Sequence, residues 1–219
     1  IESDETTHFS VVDAERNAVA LTYTLEAGYG SKIVAPGTGF LLNNEMGDFN
    51  AGPGLTNADG LIGTDPNLAA PGKRMLSSMT PTIIVKDGAL FMVTGSPGGR
   101  TIINTVLHTV LNVIDHGMNA QEAVDAARFH HQWLPDEIVY ETMDERVRKL
   151  LEGIGHATRK RDGPIGDVQA WMPLLRASKV GDVVEVTLSP KRVSFVRFGP
   201  PADFYGTLFR RLRWATHRG

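Results

Sequence analysis

A threonine near the start of the chain is the first candidate for covalent chemistry. Thr6 opens the stretch "TTHFSVVD", which alternates polar and apolar residues as a β-strand does. A threonine hydroxyl becomes a useful nucleophile when a base takes its proton, and an N-terminal threonine can use its own α-amino group. That amine has a pKa of about 7.7 to 8.0, so a useful fraction is unprotonated at neutral pH. Taken alone, the pattern favours ordinary strand threonines over a nucleophile.

Exposing that amine requires cleavage of the peptide bond between Glu5 and Thr6. The Thr6 hydroxyl can make this cut itself by attacking the carbonyl of Glu5, provided that the fold strains the peptide. Glu5 and Thr6 are therefore a candidate self-cleavage site.

A glycine-rich turn, "TGSPGGRT" at residues 94–101, links a predicted strand to a predicted helix. Backbone N–H groups at the start of a helix bind anions, and glycines let a ligand approach the main chain. The turn fails the phosphate-loop pattern because Arg100 replaces lysine, and it fails the nucleophile-elbow pattern because Thr94 replaces glycine. Two interpretations stay open: an oxyanion hole formed by Gly98 and Gly99, or a tight structural turn.

Two polar stretches could bind the charged groups of a small substrate. "LLNNEMGDF" places Glu45 and Asp48 in a loop, where gathered carboxylates can hold an ammonium group. "MLSSMTP" places Ser77 and Ser78 where their hydroxyls can donate to a carboxylate. The alternatives are solvated loop acids for the first stretch and a serine turn before a strand for the second.

Metal and cofactor chemistry has little support in the sequence. The chain has no cysteine, which excludes disulfides, thiolate metal sites and cysteine nucleophiles. The adjacent His130 and His131 point apart on a helix or a strand and make a poor metal pair, so a structural or surface role is favoured. We predict no metal site and no cofactor.

Strands, long loops and helices must position these residues. The 219 residues are 42% hydrophobic and 21% charged, which suits one globular domain with a sizeable core. "THFSVVD" and "NAVALTYTL" predict one hairpin, and "PTIIVKDGALFMVTGS" predicts a second with its turn at Lys86–Gly88. Residues 26–74 form a loop too long for an ordinary connection.

Helices follow the second hairpin, and this order favours a layered α+β fold over a βαβ parallel sheet. Gly117 ends the first predicted helix, Asn119 caps a second over "AQEAVDAAR", and "DERVRKLLEGIG" predicts a third. "DVVEVTL" and "RVSFVRF" are strand-like. Apolar residues recur at helical spacing in the first helix, at Ile102, Ile103, Val106, Leu107, Val110, Leu111, Val113 and Ile114.

Charge is distributed unevenly along the chain. The net charge is −3, but residues 171–219 carry nine Lys or Arg against three acidic residues, a net +6. This segment is either a basic tail for an acidic partner or a poorly ordered or foreign end, and the second interpretation is favoured. No nucleic-acid motif accompanies it, and the longest apolar runs are far too short to span a membrane, so neither partner is predicted.

Seven stretches, taken together and in order, resemble the small subunit of gamma-glutamyltranspeptidase. The resemblance runs from about Glu5 to Ala170. It is carried by "TTHFSVVD", "ALTYTL", "GFLLNNEMGDF", "KRMLSSMTPTIIVKDG", "VTGSPGGRTIINTVL", "NAQEAVDAARFHHQWLPD" and "GPIGDVQA".

The resemblance implies an N-terminal nucleophile (Ntn) hydrolase with an αββα four-layer sandwich, made as a precursor that cuts itself. Residues 1–5 would then end the large-subunit or propeptide region, 6–170 would form the small-subunit core, and 171–219 would be a divergent basic tail. The missing large subunit is the implied partner. A periplasmic or secreted location is implied as well.

The family's catalytic roles fall on four residues of this chain. Thr6 would be the freed nucleophile that takes the gamma-glutamyl group, with its own α-amine as base. Thr24, in "ALTYTL", matches a hydroxyl that supports the nucleophile and helps the self-cleavage. Gly98 and Gly99 match the oxyanion hole.

The family's substrate-binding roles fall on loop residues. Glu45 and Asp48 match residues that hold the substrate's α-ammonium, and Ser77 and Ser78 match those on its α-carboxylate. Glu26 stands where the best-known members have an asparagine. A third acid there would either strengthen ammonium binding or repel the substrate's α-carboxylate. Gamma-glutamyl amides such as glutathione are the implied donors, and water, amino acids or peptides are the implied acceptors.

The chain also departs from the family pattern. Asp59 stands where some members place a lid tyrosine, and the closing Gly-x-Ser-Asp-Pro-Arg run is absent after Ala170. The family's large subunit supplies an arginine for the α-carboxylate that is not found here. Two alternatives therefore accompany the main interpretation: a related Ntn amidase of the cephalosporin-acylase type, and a non-enzymatic unprocessed fragment.

Overall fold

The computed structural model describes residues 6–50, 52–56 and 63–173, together with the backbone of Val184–Val186. Some sequence predictions fall outside these residues. They concern Glu5, Asp59, the strand-like run "RVSFVRF" and most of the basic tail.

The chain begins with the predicted hairpin, formed by antiparallel strands β1 (Thr7–Val12) and β2 (Ala18–Tyr23). The register pairs His8 with Thr22, so Thr6 and Thr24 lie opposite each other just beyond the strands. The alternate side chains that include His8 and Thr22 point toward the rest of the protein. The apolar ones, Phe9, Val19, Leu21 and Tyr23, are exposed.

A four-stranded sheet carries the second predicted hairpin. It is made of β3 (Thr82–Lys86) and β4 (Ala89–Gly95), joined by a turn at Asp87 and Gly88. Strand β8 (Gln169–Pro173) pairs antiparallel with β4, and β9 (Val184–Val186) pairs antiparallel with β8. The strand order is β3-β4-β8-β9.

Helices α1 (Ile102–Ile114) and α2 (Ala120–Asp125) cover one face of this sheet. The β1–β2 hairpin covers the other face, because Gly95 packs on the ring of His8 while Met92, on the opposite side of β4, faces the helices. This stacks helices, sheet and hairpin in three layers, and the predicted α+β class is confirmed. The core between helices and sheet contains Met92, Val113, Ala120, Ala123 and Met172.

The predicted cap of α2 is confirmed in atomic detail. Asn119 Oδ1 accepts a hydrogen bond from the N–H of Glu122 at 3.0 Å, and the Glu122 carboxylate accepts one from the N–H of Asn119 at 2.9 Å. This reciprocal capping box satisfies two backbone donors that a helix start leaves unpaired.

A small three-stranded sheet adds one parallel strand pair to the predicted layered α+β fold. Strands β5 (Phe129–His130) and β6 (Ile138–Tyr140) are antiparallel, but β6 and β7 (Thr158–Lys160) are parallel and are connected through α3 (Glu145–Gly153). Two- and three-residue strands carry too little alternation for their pairing to be predicted.

Helix α1 buries only part of its predicted apolar face. Ile102, Val106 and Val113 are buried, together with Thr105 and Thr109. Val110 is half-buried against the core, and the remaining residues of the stripe, Ile103, Leu107, Leu111 and Ile114, are exposed. Among the described residues, no helix has the length and apolar character needed to cross a membrane.

Candidate active site

Thr6 lies at the end of the first hairpin, and its side chain turns into the protein. Its Oγ1 donates a hydrogen bond to Thr24 Oγ1 at 3.2 Å. Thr24 Oγ1 also accepts a hydrogen bond from the N–H of Glu26 at 2.9 Å. The neighbouring Thr7 is exposed while Thr6 is buried. The geometry therefore singles out Thr6 from the pair of adjacent threonines.

His8 fixes the position of the strand that follows Thr6. Its Nδ1 lies 2.8 Å from Thr22 Oγ1, and its Nε2 lies 3.2 Å from Ser10 Oγ. A Cβ at Gly95 would overlap the imidazole, so the ring lies directly on β4. Burial lowers the pKa of His8 to about 4, so the ring is neutral at physiological pH. No role was predicted for His8 from the sequence. Its contribution is visible only in the structure, where it lies two residues from Thr6 and packs on β4.

Glu26 leaves β2 in an uncommon backbone conformation and turns toward the acidic loop. Its φ is 72°, a region that few residues other than glycine and asparagine adopt. Its carboxylate accepts a hydrogen bond from Asn44 Nδ2. A Cβ at Gly47 would overlap that carboxylate. The side chain of Glu26 therefore lies against the short 3-10 helix Glu45–Asp48.

The structure brings the three predicted acids, Glu26, Glu45 and Asp48, into electrostatic contact. Burial, followed by the hydrogen bond and charge of Asp48 and the charge of Glu26, raises the pKa of Glu45 to about 7. Burial and the charge of Asp48 also raise the pKa of Glu26, against the hydrogen bond from Asn44. Within the described residues, Glu45 Oε2 is buried without a hydrogen-bond partner. A cation entering this cluster would relieve the repulsion among the carboxylates.

The glycine turn takes a conformation that favours glycine twice in succession. Gly98 has a φ of 133° and Gly99 a φ of 55°. Thr101 Oγ1 closes the turn by donating to the carbonyl of Gly98 at 2.7 Å, and α1 follows directly. This is the tight strand-to-helix turn considered from the sequence. The oxyanion role of Gly98 and Gly99 stays a prediction.

The two predicted serines lie beside this turn. Ser78 Oγ donates a hydrogen bond to the carbonyl of Gly99 at 2.9 Å. Ser77 is exposed, and its Oγ accepts a hydrogen bond from the N–H of Met79 at 3.2 Å. The serine turn considered from the sequence is therefore present at Ser77, and carboxylate binding by the pair stays a prediction.

The loop at residues 163–168, which contains the "GPIGD" stretch, packs against the glycine turn. Ser96 Oγ accepts a hydrogen bond from the N–H of Asp167 at 3.0 Å. A Cβ at Gly98 would lie 3.2 Å from the Cα of Gly166, so the two backbones are in close contact. The position of the glycine turn thus depends on this loop.

A buried ion pair holds the same loop, and sequence reasoning missed it. Arg128 Nη1 lies 3.6 Å from Glu141 Oε1, and the two side chains are only 7% and 17% exposed. The Glu141 carboxylate also accepts hydrogen bonds from the N–H groups of Arg128 and Ile165. Arg128 Nη1 donates to the carbonyl of Ile165 at 3.4 Å. No local pattern distinguishes Arg128 or Glu141 from the surface charges around them.

The adjacent histidines face different partners, as predicted. His130 is buried, with Nδ1 at 3.0 Å from Asn104 Nδ2 and Nε2 at 2.8 Å from Gln132 Oε1. His131 Nε2 lies 3.0 Å from Asp136 Oδ1. In the described parts of the chain, no group of side chains has the arrangement of a metal site.

Comparison with known proteins gives a consistent set of relatives. Residues 1–179 match the family described as gamma-glutamyltranspeptidase. The glutathione hydrolase proenzyme of Escherichia coli (strain K12) is 54% identical over 172 residues, which are 78% of this chain and 30% of that protein. The chain therefore spans about 30% of the length of this curated relative, and the proportion is similar for the Pseudomonas proenzymes it matches.

Solved structures support the predicted Ntn-hydrolase fold. A mutant gamma-glutamyltranspeptidase from Helicobacter pylori is similar with a TM-score of 0.76 and 47% identity, over 85% of this chain and all of that one. Cephalosporin acylase from Bacillus halodurans has a TM-score of 0.68 at 22% identity, over 85% of this chain and 33% of that one. The second likeness concerns the fold alone. The fold prediction is confirmed.

Proposed function

The chain belongs to the gamma-glutamyltranspeptidase family, and on that premise we propose that it carries the nucleophile of a self-cleaving gamma-glutamyl transferase and hydrolase. One observation carries the proposal. The buried hydroxyl of Thr6 is hydrogen-bonded to Thr24. Two residues after Thr24, the chain reaches Glu26, one of a cluster of three carboxylates. The proposed nucleophile and the proposed ammonium site are thus linked through Thr24, which is hydrogen-bonded to both Thr6 and Glu26.

The first step we propose is cleavage of the precursor before Thr6. Thr6 Oγ attacks the carbonyl carbon of Glu5, the C–N bond breaks, and the Thr6 nitrogen takes the proton to become an amine. The resulting ester between Glu5 and Thr6 Oγ is hydrolysed by water, which leaves a carboxylate on Glu5 and a free N-terminal threonine. Thr24 Oγ1, at 3.2 Å, orients the attacking hydroxyl.

The second step uses the freed α-amine as a base. It takes the proton of the Thr6 hydroxyl, and Oγ attacks the γ-carbonyl carbon of the donor. The N–H groups of Gly98 and Gly99 stabilise the developing oxyanion. The donor's amine leaves with a proton, and the gamma-glutamyl ester is then attacked by water or by the amine of an amino acid or peptide. Glutathione and related gamma-glutamyl amides are the donors we propose.

The substrate's charged head group would be held on two sides. The carboxylates of Glu26, Glu45 and Asp48 suit an α-ammonium group, since burial and the charges of acidic neighbours raise the pKa values of Glu26 and Glu45. Ser77 and Ser78, beside the glycine turn, supply neutral donors for an α-carboxylate.

The partner we propose is the large subunit cut from the same precursor. The apolar stripe on α1 and the outer face of the first hairpin are exposed in this chain. Exposed apolar surface of this extent is typical of an interface. By the family resemblance, the assembled protein would act in the periplasm or outside the cell.

The experiment that tests this function is the intact mass of the chain, produced together with its upstream region, before and after incubation at neutral pH. A new chain that starts at Thr6 and that releases aniline from gamma-glutamyl anilide supports the proposal. Faster release from an acyl anilide without the amino-acid head group would favour the acylase alternative. No cleavage in a folded sample would favour an unprocessed fragment.

We expect the substitution Thr24→Val to slow self-cleavage by about tenfold, because it removes one hydrogen bond from the attacking hydroxyl while preserving the volume of the side chain. Mass spectrometry of the precursor over time measures this rate. Thr24→Ser is the matched control and should cleave at nearly the wild-type rate. Equal rates for the Thr24→Val and Thr24→Ser variants would contradict the role of Thr24.

Affinity for an α-ammonium group should increase as pH rises through 7. Glu45, with a pKa of about 7, loses its proton over this range and gains the charge that attracts the ligand. We expect the inhibition constant of L-glutamate to fall by on the order of tenfold between about pH 6 and about pH 8. The variant Glu45→Gln should bind more weakly and lose most of this dependence. Glutarate, which lacks the ammonium, is the control ligand and should show no gain; a gain equal to that of glutamate would contradict the assignment.

A further inference from the structure

Asn67 is a buried amide that joins the two loops of the candidate substrate site. It ends the short 3-10 helix Asp65–Asn67 and is only 9% exposed. Its Nδ2 donates hydrogen bonds to the carbonyl of Asp48 at 2.8 Å and to Asn50 Oδ1 at 3.1 Å. Its Oδ1 accepts one from the N–H of Leu76 at 2.9 Å.

The groups that Asn67 contacts belong to the two loops that carry the proposed substrate-binding residues. Asp48 is one of the three clustered acids, and Leu76 directly precedes Ser77 and Ser78. The acidic loop and the serine loop are distant in sequence, so the side chain of Asn67 is a short, planar link between them. The carbonyl of Asn67 also accepts the N–H of Asn50 at 3.0 Å, which fixes the link itself.

We propose that Asn67 is a positioning residue that sets the separation between the ammonium-binding acids and the carboxylate-binding serines. It would thereby determine how well the site recognises an α-amino acid head group. This inference rests on the proposed function and deepens it. Asn67 touches neither the nucleophile nor the reacting atoms in this arrangement, so the effect acts through Asp48 and Leu76.

The chemistry of the contacts requires an amide. Two donors and one acceptor on a single planar group meet a carbonyl, an amide oxygen and a backbone N–H. An aspartate has nearly the same shape but no donor when ionised, so it keeps the contact with Leu76 and places a negative charge against the carbonyl of Asp48. The substitution Asn67→Asp therefore removes the hydrogen bonds that Asn67 donates to Asp48 and Asn50 and keeps the one that it accepts from Leu76.

The test uses the full precursor with its upstream region and two donors that share one acyl chain. Gamma-glutamyl anilide carries both head-group charges, and butyryl anilide carries neither. For Asn67→Asp we expect the KM of gamma-glutamyl anilide to rise by about tenfold or more, with kcat changed by less than about threefold. Self-cleavage and the kcat/KM of butyryl anilide should stay near the wild-type values.

Asn112→Asp is the matched control. Asn112 is a half-buried amide whose Nδ2 donates to the carbonyl of Ala123 at 3.4 Å, away from the site, and its substitution should leave KM unchanged. If Asn67→Asp fails to self-cleave, Asn67→Ser removes the link without adding charge and takes its place.

Three outcomes would overturn the inference. They are an unchanged KM, an equal loss with both donors, and a fall in self-cleavage that parallels the fall in turnover in both Asn67 variants. A wild-type precursor that neither cleaves nor transfers the gamma-glutamyl group would instead overturn the proposed function, and with it this inference.

Discussion

The substitution Thr6→Ala should abolish both self-cleavage and gamma-glutamyl transfer in a precursor that still folds. The alanine removes the attacking oxygen, and the hydroxyl hydrogen-bonded to it, Thr24 Oγ1 at 3.2 Å, belongs to the other arm of the hairpin. We expect a loss on the order of 10⁴-fold or more in kcat, which is the usual cost of deleting a nucleophile. Intact mass measures the cleavage, and release of aniline from gamma-glutamyl anilide measures the transfer.

Thr7→Ala is the matched control for this substitution. Thr7 is the same residue type one position further on, but its side chain is exposed on the outer face of β1. Its removal should leave both rates close to wild type. Thr6→Ser should retain slower cleavage because it keeps the hydroxyl. If the Thr6→Ala precursor were cleaved at the same bond, or if Thr7→Ala were equally inactive, the nucleophile would have to be assigned elsewhere.

The substitution Arg128→Met should strongly destabilise the protein. It removes the positive charge and leaves Glu141 buried beside an apolar side chain. Breaking a buried pair in this way costs about 3 to 5 kcal/mol in the free energy of unfolding. Urea unfolding of the co-expressed protein measures the change through the transition midpoint.

Arg146→Met is the control for Arg128→Met because it removes an equivalent ion pair from the surface. Arg146 and Asp144 lie 3.7 Å apart with side chains 92% and 56% exposed. Its loss should cost less than about 1 kcal/mol. Equal effects of the two substitutions would show that the Arg128–Glu141 pair does not hold the loop behind the glycine turn.

Local patterns in the sequence predicted the elements whose pairing is local. Both hairpins have short turns, and the strands that they join are neighbours in sequence. Helix α1 and the Asn119 cap depend on interactions within a few residues. The order of Thr6, the acids, the serines and the glycines was readable because each lies in a distinctive short motif.

The features that could not be predicted from the sequence depend on contacts between segments that are distant along the chain. Arg128 meets Glu141 and the loop at Ile165 only after the chain has folded. Asn67 joins Asp48 to Leu76 in the same way. Isolated polar residues in such positions look like surface residues, because burial is not encoded in their immediate neighbours.

The apolar patterns of α1 and of the β1–β2 hairpin also did not predict which faces this chain buries. Alternation in the hairpin marks two faces but not which of them is buried by this chain, and here the face with His8 and Thr22 is the inner one. The wide apolar stripe of α1 exceeds what its own sheet can cover. Both observations are consistent with the large-subunit partner that we propose, which would cover these faces.

The pairing of Thr6 with Thr24 across the first hairpin has a consequence for how this chemistry can change over time. Thr6 and Thr24, the proposed nucleophile and its proposed supporting hydroxyl, are held by one antiparallel register, which the hydrogen bonds between Asp13 and Asn17 close at the turn. A single hairpin therefore carries both Thr6 and Thr24. Variation in length is tolerable at its turn, where the register can be kept, while a single residue gained or lost within either strand would turn one of the two hydroxyls out of the site.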